Sequence, residues 1–222
     1  MEKSCKICEI FESIQGEGIF VGQKHLFIRL LGCNLNCKYC DTNNFSEKKA
    51  IILTKSALYE EIKHYGAQVI SFTGGEPLLQ SEFLRDFLAE YKSSLKKTIY
   101  LETNGSLPYR LREIIDYIDI VSMDIKLESA TGEKNDFSLS DEFLLVARDS
   151  NVFAKVVFDE NITEKEILEL ANLGLKHGIE IILQPKMPMS KNLDAAGIFQ
   201  KLYNKYSRIR LIPQVHKYLN LP

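Results

Sequence analysis

Short runs of apolar and β-branched residues alternate with amphipathic stretches along most of this 222-residue chain. Such runs predict strands, and stretches with apolar residues three or four positions apart predict helices. Repeated strand–helix units give a parallel sheet, because each helix carries the chain back to the starting edge of the sheet. Strands are predicted near residues 26–31, 68–73, 98–103, 118–126, 152–158, 179–184 and 208–213.

Three of the intervening stretches have an apolar face with helical spacing. The predicted faces are formed by Leu58, Ile62 and Tyr65, by Phe83, Phe87 and Leu88, and by Ile167, Leu168, Ala171 and Leu175. Thr163 followed by Glu166 predicts a capping box at the start of the third helix. Ser81 and Asn192 are predicted N-caps of two other helices.

The number of units limits the shape of the sheet. About six strand–helix units are too few for a closed eight-stranded barrel. We therefore predict an α/β fold, a single-domain partial barrel of the (β/α)6 type. In parallel sheets the functional residues lie at the carboxyl ends of the strands. Polar residues found at predicted strand ends are Thr73, Glu102, Asn104, Ser122, Asp124, Lys126 and Gln184.

Cys33, Cys37 and Cys40 have the spacing C-x3-C-x2-C, which lets three thiolates bind one small inorganic group. A structural zinc ion takes four protein ligands, whereas a cubane iron–sulfur cluster held by three cysteines leaves one iron free for another ligand. Cys5 and Cys8 form a further C-x2-C pair, so a zinc-stabilised binding module is the alternative. Such a ribbon would leave Cys33 without a role, and we therefore predict the cluster.

Composition excludes several classes of partner. A net charge of −2 at pH 7 gives no excess of positive charge for nucleic acid or an anionic membrane. No apolar segment reaches the roughly 20 residues of a membrane span, and Met-Glu-Lys-Ser-Cys does not begin a signal peptide. Five cysteines, three of them in one motif, argue against a disulfide framework. We expect a cytoplasmic protein whose partners are small molecules or proteins.

Gly74, Gly75, Glu76 and Pro77 follow the second predicted strand, where glycines let a ligand approach the backbone. An ordinary turn with a solvated glutamate would have the same sequence. Together with the cysteine motif after the first strand, however, this element resembles the radical S-adenosylmethionine (SAM) superfamily. The resemblance implies a [4Fe-4S] cluster whose free iron binds SAM, and a 5'-deoxyadenosyl radical formed by reductive cleavage of SAM. A reductant such as flavodoxin or ferredoxin is implied as well.

A narrower resemblance is carried by Glu9-Ile-Phe-Glu-Ser-Ile-Gln-Gly-Glu-Gly18, Phe27-Ile-Arg-Leu-Leu-Gly-Cys33 and Cys40-Asp-Thr42. These elements are similar to the 7-carboxy-7-deazaguanine synthase family of the queuosine pathway. The resemblance implies conversion of 6-carboxy-5,6,7,8-tetrahydropterin to 7-carboxy-7-deazaguanine. The radical takes the hydrogen at C6, the ring contracts and ammonia leaves, so that no side chain acts as a nucleophile. A homodimer and a Mg2+ ion are also implied.

The family's site residues are carried over by matching positions. Substrate binding is implied for Ile14, Gln15, Gly16, Glu17, Arg29, Thr73, His216 and Pro222. SAM binding is implied for Tyr39, Cys40, Asp41, Gly74, Gly75, Glu76, Ser122, Lys126, Gln184, Pro185, Lys186 and Met187, and Mg2+ binding for Thr42. The substrate-binding segments of the single domain, residues 1–222, are then about 9–29 at the N-terminus and the tail, about 208–222.

Alternatives to these roles stay open at several positions. Family members carry a shorter Ser-Pro-Lys turn where this chain has Ser122-Met-Asp-Ile-Lys126, and Lys126 could equally be a solvated lysine at a strand end. Arg29 could be a surface charge, although its guanidinium suits a substrate carboxylate. Cys5 and Cys8 lie outside the family pattern and are predicted to be buried small hydrophobic residues, with a second metal or redox pair as the alternative.

One other enzyme class shares the two superfamily motifs. Glycyl-radical activating proteins also combine a C-x3-C-x2-C motif with a Gly-Gly-Glu-Pro turn, but they act on a protein backbone. The Gln-Gly-Glu-Gly element and Arg29, which suits a small carboxylate, argue against this class.

Overall fold

The computed structural model describes residues 2–40 and 50–221. Within these residues nine strands form one sheet, in the order β3-β1-β2-β4-β5-β6-β7-β8-β9. The strands are β1 (Ser4–Ile14), β2 (Lys24–Leu30), β3 (Ile51–Thr54), β4 (Val69–Gly74), β5 (Thr98–Thr103), β6 (Ile120–Asp124), β7 (Asn151–Phe158), β8 (Glu180–Pro185) and β9 (Ile209–Leu211). All seven predicted strands are confirmed, whereas β1 and β3 are additional.

Helices connect the parallel strands. The α-helices of the described residues are α1 (Lys55–Ile62), α2 (Ser81–Leu95), α3 (Pro108–Leu111), α4 (Glu128–Thr131), α5 (Phe137–Ala147), α6 (Glu164–His177), α7 (Ala195–Tyr203) and α8 (Val215–Leu219). Strands β2 and β4 to β9 are parallel to one another, and each crossover between them contains a helix. Among these helices none is long and apolar enough to cross a lipid bilayer.

One edge of the sheet is antiparallel. Strand β1 pairs antiparallel with both β2 and β3. The apolar pattern does not predict β1 because lysine and glutamate side chains interrupt it, and β3 is only four residues long and half exposed. In the part of the chain that the structure describes, β9 pairs only with β8, so the sheet does not close. The prediction of a partial barrel is therefore confirmed.

Alternate residues of each strand point to opposite faces of the sheet. The outward-facing residues pack against the helices in the main core, which includes Ile28, Phe72 and Leu101. On the inner face, a second cluster fills the amino-terminal half of the barrel. Its buried members are Tyr100, Ile120, Phe153 and Ile182. Among the described residues, this apolar cluster occupies the amino-terminal half, and a cavity lies at the carboxyl end of the barrel.

The predicted helix caps are partly correct. Thr163 forms a complete capping box with Glu166 at the start of α6, as predicted. The prediction for Ser81 is wrong, since Ser81 is already inside α2 and its hydroxyl donates to Glu113 at 2.6 Å. The prediction for Asn192 is also wrong, because the side chain of Asp194 caps α7 instead.

The predicted apolar face of α6 is rotated relative to the observed one. Leu168 and Leu175 are 48% and 65% exposed, whereas Leu170 and Leu173 are buried beside Ile167. The stretch contains more leucines than one helix face can bury, so spacing alone does not identify the buried ones.

Candidate active site

The carboxyl ends of the central parallel strands open into one cavity, and residues of the loop after β1 and of α8 complete its wall. This location follows from parallel topology, which gathers strand ends at one edge. The predicted site residues that line the cavity are Ile14, Gln15, Gly16, Glu17, Arg29, Cys33, Cys37, Tyr39, Cys40, Thr73, Gly74, Gly75, Lys126 and His216.

Several of the residues predicted to contact SAM do not line the cavity. They are Glu76, Ser122, Gln184, Pro185, Lys186 and Met187. Ser122 and Gln184 are fully buried within β6 and β8, and Lys186 pairs with Asp159 at 3.2 Å. The predicted residues Asp41, Thr42 and Pro222 lie outside the described residues.

The three motif cysteines reach the cavity from the loop after β2. The amide of Lys38 donates to the carbonyl of Thr131 at 3.0 Å and so ties this loop to α4. Burial raises the pKa of Cys37 to about 11 and also raises that of Cys33. Because a thiolate here needs a compensating positive charge, a coordinated metal is the natural partner of these sulfurs.

The donor set fits an iron–sulfur cluster. Thiolate ligands without imidazole or carboxylate select iron–sulfur clusters or zinc. Among the described residues, no three Cys, His, Asp or Glu side chains converge as ligands of a single metal ion. The three cysteines of a cubane bind three different irons, so they do not need to converge on one point. A Cβ at Gly75 would lie 3.1 Å from the Cβ of Cys33, which shows that glycine keeps space open beside this thiol.

Cys5 and Cys8 take no part in the cavity wall. Cys5 is fully buried in β1, where its thiol donates to the carbonyl of Leu53 at 3.6 Å. Burial raises the pKa of Cys5 to about 12, which keeps it a neutral thiol. A zinc ribbon would require this pair beside Cys37 and Cys40, and the structure does not bring the two pairs together. Cys5 is thus confirmed as a buried small hydrophobic residue.

The turn Gly74–Gly75 packs against the strand that leads to the first cysteine. The amide of Gly75 donates to the carbonyl of Leu30 at 3.1 Å, and the amide of Glu76 donates to that of Gly32 at 2.7 Å. Gly74 has a φ of +121°, and a Cβ there would lie 2.3 Å from the Leu30 oxygen. Only glycine satisfies both conditions.

Glu76 joins this turn to the end of β5 instead of facing a ligand. Its Oε1 accepts from the amide of Leu78 at 3.0 Å and from the hydroxyl of Thr103 at 2.9 Å. Its Oε2 accepts from the amide of Asn104 at 2.8 Å. Burial raises the pKa of Glu76 to about 7 in spite of these hydrogen bonds. The carboxyl group therefore orders the turn, which explains why it lies outside the cavity wall.

A group of charged and amide side chains lies at the base of the cavity, and we call it the floor network. It consists of Gln15, Glu17, Glu102, Lys155 and Gln214. Lys155 is 2% exposed, and its Nζ lies 2.6 Å from Glu17 Oε2 and 3.5 Å from Glu102 Oε2. Gln15 donates to Glu102 Oε1 at 2.8 Å, and Gln214 donates to Glu17 Oε1 at 2.6 Å. The network thus joins the loop after β1, two central strands and the C-terminal tail.

Sequence motifs assign no role to Glu102, Lys155 or Gln214, although Glu102 stands at a predicted strand end. A usable signal exists for Lys155, because it stands within the apolar strand Asn151–Phe158, where both faces are covered. A lysine in such a strand is rarely buried unless it is paired. Its neighbours on the inner face, Phe153 and Val157, are buried as well. The pattern therefore points to an internal ion pair at this strand.

Arg29 lies at the carboxyl end of β2 and lines the cavity. Its Nη1 donates to Glu9 Oε2 at 3.0 Å, and its guanidinium lies 4.8 Å from the centre of the Phe11 ring. These contacts hold the side chain against β1, so Arg29 is not a loosely solvated charge. A guanidinium carries five N–H donors, and the bond to Glu9 is compatible with a second carboxylate ligand.

The C-terminal tail closes onto the loop after β1 at Gly16. The amide of Val215 donates to the Gly16 carbonyl at 2.9 Å. A Cβ at Gly16 would lie 2.4 Å from Nδ1 of His216. Glycine at position 16 therefore allows the histidine ring to sit against the loop and reach the cavity.

Lys126 is held inside the site by two neighbours. Its Nζ lies 2.7 Å from Asp124 Oδ2 and 5.2 Å from the centre of the Tyr39 ring. Burial would lower the pKa of Lys126, but Asp124 and Tyr39 outweigh burial and raise it. Its side chain is 21% exposed, so the alternative of a solvated lysine is wrong.

His25 lies beneath the floor network and is fully buried. Its Nδ1 is 2.7 Å from the Ser71 hydroxyl, and its ring centre is 5.2 Å from that of Tyr100. Burial lowers the pKa of His25 to about 4, although the charge of Glu102 opposes this shift. The folded protein therefore holds a neutral imidazole where the unfolded chain would ionise at about pH 6.5.

We expect neutral His25 to contribute stability that is complete above about pH 6.5 and lost as the pH falls toward 4, because only the unfolded chain then binds the proton. Relative to His25→Gln, the wild-type protein should lose about 1.4 kcal/mol of unfolding free energy per pH unit in this window. Urea unfolding at several pH values measures the difference. The same substitution at exposed His64 is the control, and parallel pH curves for wild type and His25→Gln would contradict the prediction.

Comparison with known proteins supports the cluster site. The chain matches the family model of the radical SAM superfamily over residues 27–182. A 7-carboxy-7-deazaguanine synthase of Geobacter sulfurreducens is 32% identical, over 95% of this chain and 95% of that protein. The synthase of Archaeoglobus fulgidus is 34% identical, over 97% of this chain and 98% of that protein. That of Methanothermobacter thermautotrophicus is 35% identical, over 97% of each.

Solved structures show the same architecture. QueE from Escherichia coli superposes with a TM-score of 0.66 at 22% identity, over 96% of this chain and 95% of that one. Archaeal TYW1 gives a TM-score of 0.53 at 15% identity, over 82% of this chain and 72% of that one. At such identities these likenesses show the fold. The sequence similarity to the three synthases covers nearly the full length of the chain and shows more than the fold. The chain therefore belongs to the 7-carboxy-7-deazaguanine synthase family of the radical SAM superfamily.

Proposed function

We propose that this enzyme converts 6-carboxy-5,6,7,8-tetrahydropterin to 7-carboxy-7-deazaguanine and ammonia. The observation that carries the proposal is the composition of one cavity. Its wall contains the three motif cysteines and the Gly74–Gly75 turn, and it also contains Arg29 and the floor network. A cluster-binding loop and a polar site for a small carboxylated ring are thereby combined.

Three groups would be held by the chain's own residues. Cys33, Cys37 and Cys40 would bind a [4Fe-4S] cluster, and the bare backbone of Gly74–Gly75 with Tyr39 would hold SAM beside it. When bound, the cluster supplies an electron that cleaves SAM and so provides the radical that takes hydrogen from the substrate. Thr42 is proposed to ligate Mg2+, whose hard charge suits oxygen ligands from protein and substrate.

The floor network offers acceptors to the substrate ring. A tetrahydropterin presents N–H groups along its 2-amino-4-oxopyrimidine edge, and carboxylates are strong acceptors for such groups. Glu17 and Glu102 supply two carboxylates, and both line the cavity. We assign this edge to them and the 6-carboxylate of the substrate to Arg29. Thr73 and His216 line the same cavity and would complete the substrate contacts.

The N-terminal segment, about residues 9–29, and the tail, about 208–222, are proposed as the substrate-binding parts of the domain. Their contacts meet at Gly16, where the amide of Val215 donates to the loop. This closure would exclude water from the reacting ring, which protects a radical from side reactions. Pro222 is proposed to extend the tail to the substrate.

The proposed reaction also implies protein partners. A small electron-transfer protein such as flavodoxin or ferredoxin would reduce the cluster, and the active form would be a homodimer. A cluster that opens to solvent through its cavity favours a reducing, cytoplasmic environment. Analytical ultracentrifugation of the cluster-containing protein tests the dimer.

We expect the anaerobically reconstituted enzyme to convert the carboxytetrahydropterin to 7-carboxy-7-deazaguanine and ammonia in the presence of SAM and a reductant. Tetrahydropterin without the 6-carboxylate should react at least about 100-fold more slowly, because Arg29 would lose the substrate carboxylate assigned to it and keep only its bond to Glu9. Mass spectrometry of the products measures both. If SAM is cleaved at an intact cluster without deazaguanine formation, the substrate assignment is wrong. A glycyl radical on an added protein would instead indicate an activating enzyme.

A further inference from the structure

The floor network contains one cation and two anions whose side chains are largely shielded from solvent. Lys155 is 2% exposed on its side chain, Glu17 16% and Glu102 18%. The charges come from three separate segments, namely the loop after β1, β5 and β7. Burying two carboxylates side by side is costly unless a cation lies between them. Lys155 supplies that cation.

Each carboxylate is held at both oxygens. Glu17 contacts Lys155 through Oε2 and accepts from Gln214 through Oε1. Glu102 contacts Lys155 and the Thr73 hydroxyl through Oε2 and accepts from Gln15 through Oε1. Two-point contacts of this kind restrict rotation of a carboxylate. The protein contacts therefore fix the directions in which the carboxylate oxygens can accept further hydrogen bonds.

We infer that Lys155 is a positioning residue that keeps Glu17 and Glu102 ionised and oriented as acceptors for the N–H edge of the ring. This inference rests on the proposed function, since it assumes a substrate with such an edge. Lys155 acts through the two carboxylates. Without the ammonium, one carboxylate would take up a proton, and a protonated oxygen donates a hydrogen bond where the substrate needs an acceptor.

Another buried glutamate of this chain illustrates the effect of the cation. Glu76 accepts three hydrogen bonds but has no lysine in contact among the described residues, and burial raises its pKa to about 7. Burial would also raise the pKa of Glu17, but the ammonium of Lys155 and the hydrogen bond from Gln214 outweigh it, and the pKa is lowered. Glu17 has a lysine in direct contact, whereas the charge of Lys126 lowers the pKa of Glu76 by less than burial raises it.

The charged and titratable groups around the pair come from four elements. Glu102 and Tyr100 face Lys155 from β5, and Asp124 faces it from β6. His216 faces Glu17 from α8, and His25 interacts with Glu102 from β2. Burial would lower the pKa of Lys155, but Glu102 and Glu17 outweigh it, and the pKa lies well above the ordinary value. Lys155 therefore stays charged throughout the neutral range.

Binding of the oxidised analogue 6-carboxypterin tests the inference without turnover. The cluster-containing protein is titrated without SAM or reductant from about pH 5.5 to about 7.5, a range in which a carboxyl with a raised pKa changes its charge. Ionisation of the ligand changes the Kd of both proteins equally. Dividing the variant Kd by the wild-type Kd at each pH therefore removes its contribution. For Lys155→Met we expect a ratio of at least about 10 at the acid end, falling by up to about tenfold per pH unit as the pH rises.

Lys92→Met is the matched control. Lys92 also contacts a carboxylate and a carbonyl, Asp119 at 2.7 Å and Tyr117 at 2.9 Å, but it does not line the cavity. Its ratio should stay near one at every pH. The double variant Lys155→Met with Glu17→Gln removes one cation and one anion together, which keeps the net charge of the floor network. It should fold even if the single variant does not, and Glu102 without its cation should still give a pH-dependent ratio.

The outcomes separate the two proposals. A ratio near one, or a loss of affinity that is the same at every pH, would overturn the positioning role of Lys155, because a purely structural lysine has no reason to change the pH profile. If the wild-type protein retains its cluster but does not bind 6-carboxypterin, the proposed substrate itself is wrong and the role of Lys155 fails with it.

Discussion

Replacing Cys33 by alanine is expected to abolish iron binding and every activity that depends on it. A cubane needs three cysteines when its fourth iron is left for another ligand, so two thiolates cannot hold it. The wild-type protein should bind about four irons per chain after anaerobic reconstitution, and Cys33→Ala should retain almost none. Iron analysis, visible absorption and SAM cleavage are the measurements, and SAM cleavage should fall below detection.

Cys8→Ala is the control for this loss. Cys8 is half-buried in β1 and lies outside the cavity wall, so its removal should leave the iron content unchanged. The opposite pattern, in which Cys33→Ala keeps a bound zinc ion and Cys8→Ala loses it, would favour the zinc-stabilised module. The structure argues against that pattern because the Cys5 thiol is bonded to Leu53 within the core.

The central sheet could be predicted because most of the parallel strands are largely apolar and buried, and because they are bounded by polar or glycine-containing turns. Strand Thr98–Thr103 even has the predicted bounds. Once the strands are parallel, their ends must meet, and the cysteine loop and the Gly74–Gly75 turn are then neighbours by topology. The antiparallel strands β1 and β3 could not be predicted in this way, since a half-exposed edge strand carries a weaker apolar pattern.

The less predictable part of the site depends on long-range contacts between side chains. Lys155 and Glu17 are 138 residues apart, and Gln214 and Glu17 are 197 apart. No local pattern encodes such pairs. Glu76 illustrates the same limit, because a motif gives the position of its carboxylate in the chain but not its direction. Thr103 and Asn104 offer hydrogen bonds on the protein side, and the carboxylate turns toward them.

Gly75→Ala is expected to disrupt the cluster site although the fold is retained. A Cβ at this position would lie 2.0 Å from the carbonyl oxygen of Gly32, the residue before Cys33. That oxygen also accepts from the amide of Glu76, so the backbone cannot move away without breaking a hydrogen bond. Because displacement of a reactive group by about 1 Å costs about 100-fold in rate, activity should fall by at least that factor. Iron content and turnover are measured together.

Gly66→Ala is the matched control, since a Cβ there meets only the Glu12 carboxylate at 3.8 Å, an ordinary contact. Gly66 also lacks the positive φ that would strain an alanine. The control should keep its iron and its rate, and a slight gain in stability is expected because alanine restricts the unfolded chain. Wild-type iron content and activity in Gly75→Ala would show that the turn does not press on the cysteine loop. The crowding of Gly32 would then have no bearing on the position of Cys33.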